Sequence, residues 1–243
     1  MINSLSIVLP VYNESERINI TIKEIKKFLK KNIFNSLEII FVDDGSQDDS
    51  LKKIDNFINN YKKKKKVKIL RLKSKSNLGK GSALKLGVNK STKEWILTID
   101  IDMSVKLTQI NNWIKKGYIK NKKTAYFASR NHINSKVTTK FYRFFLGSVF
   151  KIIIFLVLRG NLKDTQCGFK LYNKKYAKAI FKKLRTAGYA HDLELINLLK
   201  IRNIDIIYLP VIWVHKQKGK LNLIIDPIKM LIDIIKIKFF YQN

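Results

Sequence analysis

The chain has one cysteine in 243 residues, Cys167, so an intramolecular disulfide and a cysteine-built zinc cluster are both excluded and a reducing compartment fits. Proline is nearly as scarce, at three, while 46% of residues are hydrophobic; a disordered tail is excluded, and one substantial core is expected. Long uninterrupted apolar runs are also missing. The longest apolar segment, "FYRFFLGSVFKIIIFLVL" (141–158), is broken by Arg143 and Lys151 and falls short of the ~20 mostly apolar residues a simple membrane span needs. Basic residues among Phe, Ile and Leu predict a helix lying in a membrane interface, with burial in the core as the alternative. The start, "MINSLSIVLPVY", lacks a basic leader followed by a long apolar stretch, which predicts no signal peptide.

Acidic residues are the other shortage: 18 Asp and Glu stand against 49 Lys and Arg, a formal net charge of +31. That exceeds what solubility requires and implies attraction to a polyanion, whether nucleic acid, an anionic membrane surface or a phosphate-bearing substrate. Part of the excess is a bias toward lysine, as in "KKKKK" (62–66), which reads as a solvated turn. Against this background "DDGSQDDS" (43–50) concentrates four carboxylates in eight residues.

Four runs rich in Ile and Val recur in the first half: "LSIVLPVY" (5–12), "LEIIFVDD" (37–44), "VKILRL" (67–72) and "EWILTIDID" (94–102). Each predicts a strand buried on both faces. Stretches with helical spacing lie between them, such as Ile18, Ile22, Ile25 and Phe28, so the alternation predicts a parallel sheet with right-handed crossovers. Asn13 with Glu16, and Ser46 with Asp49, match capping boxes at helix starts. After "TAYFASR" (124–130), another strand, the regularity breaks down into the loop "DTQCGFKLY", helices near 174–185 and 192–202, a strand "IDIIYLPVIWV", and an amphipathic helix near 224–242 carrying Lys229, Lys236 and Lys238.

Open parallel sheets bind ligands at the carboxyl ends of their strands, where Tyr12, Asn13, Glu14, Asp43, Asp44, Asp100 and Asp102 collect. In "TIDIDMS", two-residue periodicity along a strand points Asp100 and Asp102 to one side, a hard-oxygen pair suited to Mg²⁺ or Mn²⁺ with ligand phosphates completing the shell. Asp43 and Asp44 are expected to accept hydrogen bonds from a nucleotide's base and ribose, with turn capping by Asp44 as the plainer alternative. No G-x-G-x-x-G follows the first strand and "NLGKGSALKLG" (77–87) lacks P-loop spacing, which argues against a dinucleotide oxidoreductase and an NTPase. A nucleic-acid-binding protein leaves the acidic edge unexplained, because those carboxylates would repel phosphates.

"SIVLPVYNE", "VDDGSQDDS", "NLGKGSALKLG", "DID", "ASRN", "DTQCGFKLY" and "AHDLEL" occur in this order and together resemble family 2 glycosyltransferases of the polyprenyl-phosphate type, and within that type those that glucosylate dolichyl phosphate. The resemblance spans roughly residues 5 to 215. It implies an α/β GT-A fold, a Rossmann-like, mostly parallel sheet flanked by helices, over residues 1–215, with residues 216–243 as a C-terminal amphipathic helix suited to a membrane surface. It also implies a nucleotide-sugar donor, a divalent metal and a lipid-phosphate acceptor, with a saccharide or another lipid as the alternative acceptor.

Carried over by position, Pro10, Tyr12 and Glu14 match the donor-nucleotide loop, Asp43 and Asp44 the acidic turn, Lys80 a basic residue beside the nucleotide, and Asp100 and Asp102 the metal pair. Ser104 stands where mannosyl-transferring relatives have Gln, which leaves the third metal ligand open and favours glucose, with UDP-glucose as donor. Arg130 and Arg143 match phosphate-holding residues, a role suited to a planar guanidinium, although Arg143 also fits a snorkelling interfacial residue. Ser148 lies near it. Asp164, Gln166 and Lys170 fall in the loop around sugar and acceptor, with Cys167 a small packing residue among them. Asp192 is expected to position the acceptor or a sugar hydroxyl, or else to cap its helix with Glu194; His191 stands beside it. The implied chemistry is inverting displacement by a lipid phosphate at the cytoplasmic face of a membrane.

Overall fold

The computed structural model describes residues 2–61, 65–138, 164–216 and 225–241. The Ile/Val-rich runs form strands β1 (Ser4–Val11), β2 (Ser36–Asp43), β3 (Val67–Lys73) and β4 (Trp95–Thr98), separated by helices α1 (Ser15–Lys30), α2 (Ser50–Asn60) and α3 (Lys80–Lys90). Next come α4 (Gln109–Lys115), β5 (Thr124–Ser129), β6 (Lys136–Thr138), β7 (Lys170–Asn173), α5 (Lys174–Lys183), α6 (His191–Ile201), β8 (Asp205–Pro210), β9 (Ile212–Val214) and α7 (Ile225–Phe240). Segment 141–158, with Arg143 and Ser148, lies outside the described residues, as does most of the lysine run at 62–66.

Seven strands make one sheet in the order β3-β2-β1-β4-β7-β5-β8, and β6 and β9 pair separately. All neighbours in the large sheet run parallel except β7, which is antiparallel to both β4 and β5. Alternation along each strand feeds two cores: Leu5, Ile7 and Leu9 point to one, and Val8 to the other. The first core takes Ile18 and Phe28 of α1, Ile54 of α2 and Trp113 of α4. The second takes Leu84 and Val88 of α3, Phe181 of α5 and Leu199 of α6. The mostly parallel sheet covered on both faces is the expected fold.

Three expectations are corrected by local structure. Strand β4 ends at Thr98, four residues early, because its pairing with β7 runs only from Trp95 to Thr98. Asp100 and Asp102 therefore stand in the following turn, where Thr21 Oγ1 donates to Ile101 O and Met103 takes φ 53°. The strand "IDIIYLPVIWV" breaks at Val211, where Pro210 O accepts from Trp113 Nε1 at 2.9 Å and Ser135 Oγ accepts from Val211 N.

The two capping boxes do not form, since neither α1 nor α2 receives a side-chain bond from its own N-cap residue. The loops after β1 and β2 satisfy each other instead. Asp48 accepts from Ser15 N and Ser50 N, both at 3.0 Å, while Asn13 Oδ1 accepts from Gln47 N at 2.7 Å. Ser50 Oγ accepts from Glu14 N, and Ser46 Oγ from Asn13 N. Partial burial would raise the Asp48 carboxyl, but its bonds to Ser50 and Ser15 lower it to about 2.

Helix α3 lies close enough on the sheet that a Cβ at Gly87 would sit 2.4 Å from Val8 Cγ1 and 2.8 Å from Val42 Cγ2. Gly87→Ala is expected to push α3 off β1 and β2 and to cost about 1–3 kcal/mol, read as a lower urea midpoint at unchanged slope.

Candidate active site

The carboxyl ends of β1, β2 and β4 open into a cleft of about 1240 Å³. Pro10, Tyr12 and Glu14 line it after β1, Asp44 after β2, and Asp100 and Asp102 after β4. The start of α3 adds Lys80, the end of β5 Arg130, and the segment before β7 Asp164 and Gln166. Asp192 on α6 closes the floor.

The two aspartates of the acidic turn have different surroundings. Asp43 is fully buried beneath the turn, and both its oxygens accept from Ser46 N. Asp44 reaches across to the loop before α3 and accepts from Leu78 N at 3.0 Å and Gly79 N at 2.7 Å, holding the approach to Lys80. Burial raises the Asp44 carboxyl, and those two amide bonds oppose the rise.

Lys80 Nζ sits 2.6 Å from Asp100 Oδ1. Burial alone would lower the Lys80 ammonium, but Asp100, Asp192 and Asp102 override it and raise it. Asp102 accepts from Ser104 N and Ser104 Oγ, each at 2.9 Å, so Ser104 orients a member of the acidic pair. Burial and then the Asp100 charge raise the Asp102 carboxyl, against the Ser104 bonds and Arg17. A carboxyl raised by the charge of its neighbour is a fit for a divalent cation, whose charge relieves the repulsion. Among the described residues no third Asp, Glu, His or Cys joins them as a metal cluster, so a cation held by Asp100 and Asp102 would take further oxygens from its ligand. Gly168 keeps this geometry open, since a Cβ there would fall 2.4 Å from the Asp100 carboxylate.

On the opposite side Arg130 grips Asp164 through Nε at 2.7 Å and Nη2 at 2.6 Å, while its backbone N donates to the same carboxylate at 2.7 Å. Two of its side-chain donors are thus committed to a bidentate pair, and its guanidinium carbon lies 5.5 Å from the centre of the Trp213 ring. Asp164 is the partner that holds Arg130 in place. Burial would raise the Asp164 carboxyl, but Arg130 and Lys170 hold it below the usual range.

Lys170 does not lie in a loop: it opens β7, is buried, and pairs with Asp192 while donating to Thr165 O. The capping alternative for Asp192 fails as well, because its carboxylate meets Lys170 Nζ and lies 3.2 Å from His191 Nε2. Burial would raise Asp192, but His191, Lys170 and Lys80 hold it well below the usual carboxylate range. Glu194 accepts from Arg185 N and Thr186 N and from Tyr241 Oη, tying the loop before α6 to the end of α7. Cys167 is buried, and burial pushes its thiol up to about 12, which fits packing and not nucleophilic attack.

Several lining residues escaped sequence reasoning. Arg17 lies beside Glu14 at 3.3 Å, one turn into α1, and its proximity to the "NES" turn was the available signal. Trp213 and His215, stacked at 5.9 Å, come from β9 and the residue after it. From α7, Lys229, Ile232, Asp233 and Lys236 form one wall. Their helical pattern was legible, but their place at the cleft was not.

Residues 6–181 match the family described as Glycosyl transferase family 2. A Dolichyl-phosphate beta-glucosyltransferase of Dictyostelium discoideum is 34% identical over 98% of this chain and 74% of its own length. Its namesake in Saccharomyces cerevisiae is 32% identical over 98% of this chain and 75% of its own. Among solved structures, glucosyl-3-phosphoglycerate synthase from Mycobacterium tuberculosis, in complex with Mn²⁺ and uridine-diphosphate-glucose, superposes with a TM-score of 0.61. That match covers 94% of this chain and 75% of the other at 16% identity, a likeness of fold.

Asp192→Asn leaves the buried Lys170 ammonium without its charge partner and is expected to cost about 3–5 kcal/mol of stability. A carboxyl whose folded pKa is depressed stabilises the fold above its unfolded pKa and stops doing so as pH falls. Wild-type stability should therefore drop below the ordinary Asp value of 3.8. The variant should lose less there, as read by denaturation from neutral pH into acid.

Proposed function

The chain belongs to glycosyl transferase family 2 and is a glycosyltransferase, and we propose that it moves glucose from UDP-glucose to a polyprenyl or dolichyl phosphate, inverting the anomeric carbon. The relatives named for β-glucosyl transfer to dolichyl phosphate support this acceptor and sugar. The observation that carries the reading is the pairing of Asp192. A hydroxyl acceptor needs a free general base, and Asp192, the candidate base, is buried with its carboxylate engaged by the Lys170 ammonium, which holds it in the ionised form. A phosphate monoester is already ionised near neutral pH and needs no such base.

The nucleoside lies along Pro10, Tyr12, Glu14 and Asp44, with Asp43 bracing the turn from beneath. Lys80 and Arg130 neutralise charge that develops on the departing diphosphate, each kept in place by a carboxylate, Asp100 and Asp164. Asp100 and Asp102 would hold Mg²⁺ or Mn²⁺, which would supply Lewis-acid stabilisation of the leaving group. A phosphate oxygen of the lipid attacks the anomeric carbon from the face opposite the diphosphate. Asp192 stays ionised and, with Gln166, orients the sugar and the incoming phosphate. Arg143 and Ser148, outside the described residues, remain assigned by resemblance to the phosphate-binding and acceptor side.

Among the described residues no helix is long and apolar enough to cross a membrane. The proposed mode of work is peripheral, at the cytoplasmic face, with a GT-A domain over residues 1–215 and a lipid-facing helix in residues 216–243. Lys and Arg near an anionic leaflet contribute about 1 kcal/mol each, which gives the +31 charge a role.

Radiolabelled UDP-glucose with polyprenyl phosphate, detergent and Mg²⁺ or Mn²⁺ is expected to give lipid-linked glucose. Asp102→Ala should lower transfer at least about a hundredfold. Gly168→Ala should displace the Asp100 carboxylate, keep the wild-type melting curve and lower transfer about a hundredfold. Glucose passed to a saccharide hydroxyl and never to the lipid would overturn the acceptor.

A further inference from the structure

Helix α7 presents three different faces. Ile234 and Ile237 are buried against Ala190 and Leu193 at the start of α6. One flank carries Lys229, Asp233 and Lys236 into the wall of the cleft, with Asp233 turned toward Gly188. The third face is a stripe of Ile228, Leu231, Ile232, Ile235 and Phe239, spaced three and four residues apart and exposed, Ile228 at 57% and Phe239 at 65%. Lys238 borders the stripe on the side away from the cleft.

An apolar stripe of five large side chains is more than isolated surface exposure. Its borders commit it to one kind of occupant. Lysines on both sides match an anionic lipid surface, where an amphipathic helix buries its apolar face and leaves its cations at headgroup level. The same helix then brings the bilayer surface to the cleft, because Ile232 belongs both to the stripe and to the cleft wall.

We propose that α7 is the acceptor-loading helix: its stripe seats in the membrane interface, and Lys229 and Lys236 receive the phosphate of a prenyl phosphate at the cleft mouth. This rests on the lipid-phosphate reading above and assigns it a site. Asp233 stands between the two lysines on that flank, which keeps a net positive charge toward the cleft. Tyr241 Oη on Glu194, at 2.6 Å, and the Arg185 guanidinium over the Phe240 ring, at 5.2 Å, clamp the end of the helix to the loop before α6. A membrane contact on the stripe is thereby anchored to the protein core.

The test uses the full chain in flotation with three vesicle types: phosphatidylcholine alone, with phosphatidylserine, and with polyprenyl phosphate. Calorimetric UDP binding is measured in parallel. Ile235→Asp/Phe239→Asp, which does not touch the cleft, should lower partition onto all three by about tenfold or more and leave UDP binding unchanged. Lys229→Ala/Lys236→Ala should lower binding to the polyprenyl-phosphate vesicles about tenfold more than to phosphatidylserine vesicles. In the transfer assay it should raise KM for the lipid and not for UDP-glucose. Wild-type partition in both variants would overturn the proposal. So would a stripe variant that converts a dimer to a monomer by light scattering while partition is unchanged, because the stripe would then face a second copy. If lipid transfer fails in the wild type while flotation shows both effects, the acceptor-loading helix stands and the assigned reaction falls.

Discussion

The mouth of the cleft depends on one kind of bond, a carboxylate from one loop accepting from the backbone amides of another. Helix starts leave N–H groups without partners, and a sheet that ends in several such helices gathers them at one edge. The acidic turn meets that need: Asp48 serves Ser15 and Ser50, Asp43 serves Ser46, and Asp44 serves Leu78 and Gly79. Charge-assisted bonds are stronger than neutral ones, and these run from 2.7 Å at Gly79 to 3.2 Å at Ser46 in partly buried surroundings. The carboxylates of "DDGSQDDS" therefore answer first to the protein's own amides, and Asp44 alone also faces the cleft.

The same economy governs the charged side chains. Lys80 and Arg130 are each placed by a carboxylate at the cleft, and Asp192 is held from behind by the buried Lys170 ammonium. Such a site is preorganised toward a diphosphate, since the groups that meet the developing charge are already oriented. It also explains how a chain of strongly positive overall charge keeps an acidic strand edge without repelling a nucleotide. Asp100 and Asp164 each have a cation within reach, and Asp44 is met by two backbone amides.

Membership of the family and the course of the strands were visible in the chain because burial on both faces writes itself as runs of Ile and Val, and motifs carry their order. The helices at 174–183, 191–201 and 225–240 also fell where their spacing predicts. The capping boxes were misread for a physical reason. A Ser or Asn at a helix start satisfies an amide wherever one is nearest, and here the nearest amides belong to a loop more than thirty residues away in sequence.

The sequence by itself determined the alternating strand and helix order and the strand ends at which polar residues collect, because periodicity and local spacing decide burial and turn position. Only the tertiary structure decided that Lys80 meets Asp100, that Lys170 of a strand neutralises Asp192 of a helix 22 residues on, and that α7 walls the cleft. Those outcomes depend on which groups meet after the sheet has closed. Charge partners and cleft walls are chosen by distance in space, which a linear pattern of residues does not contain.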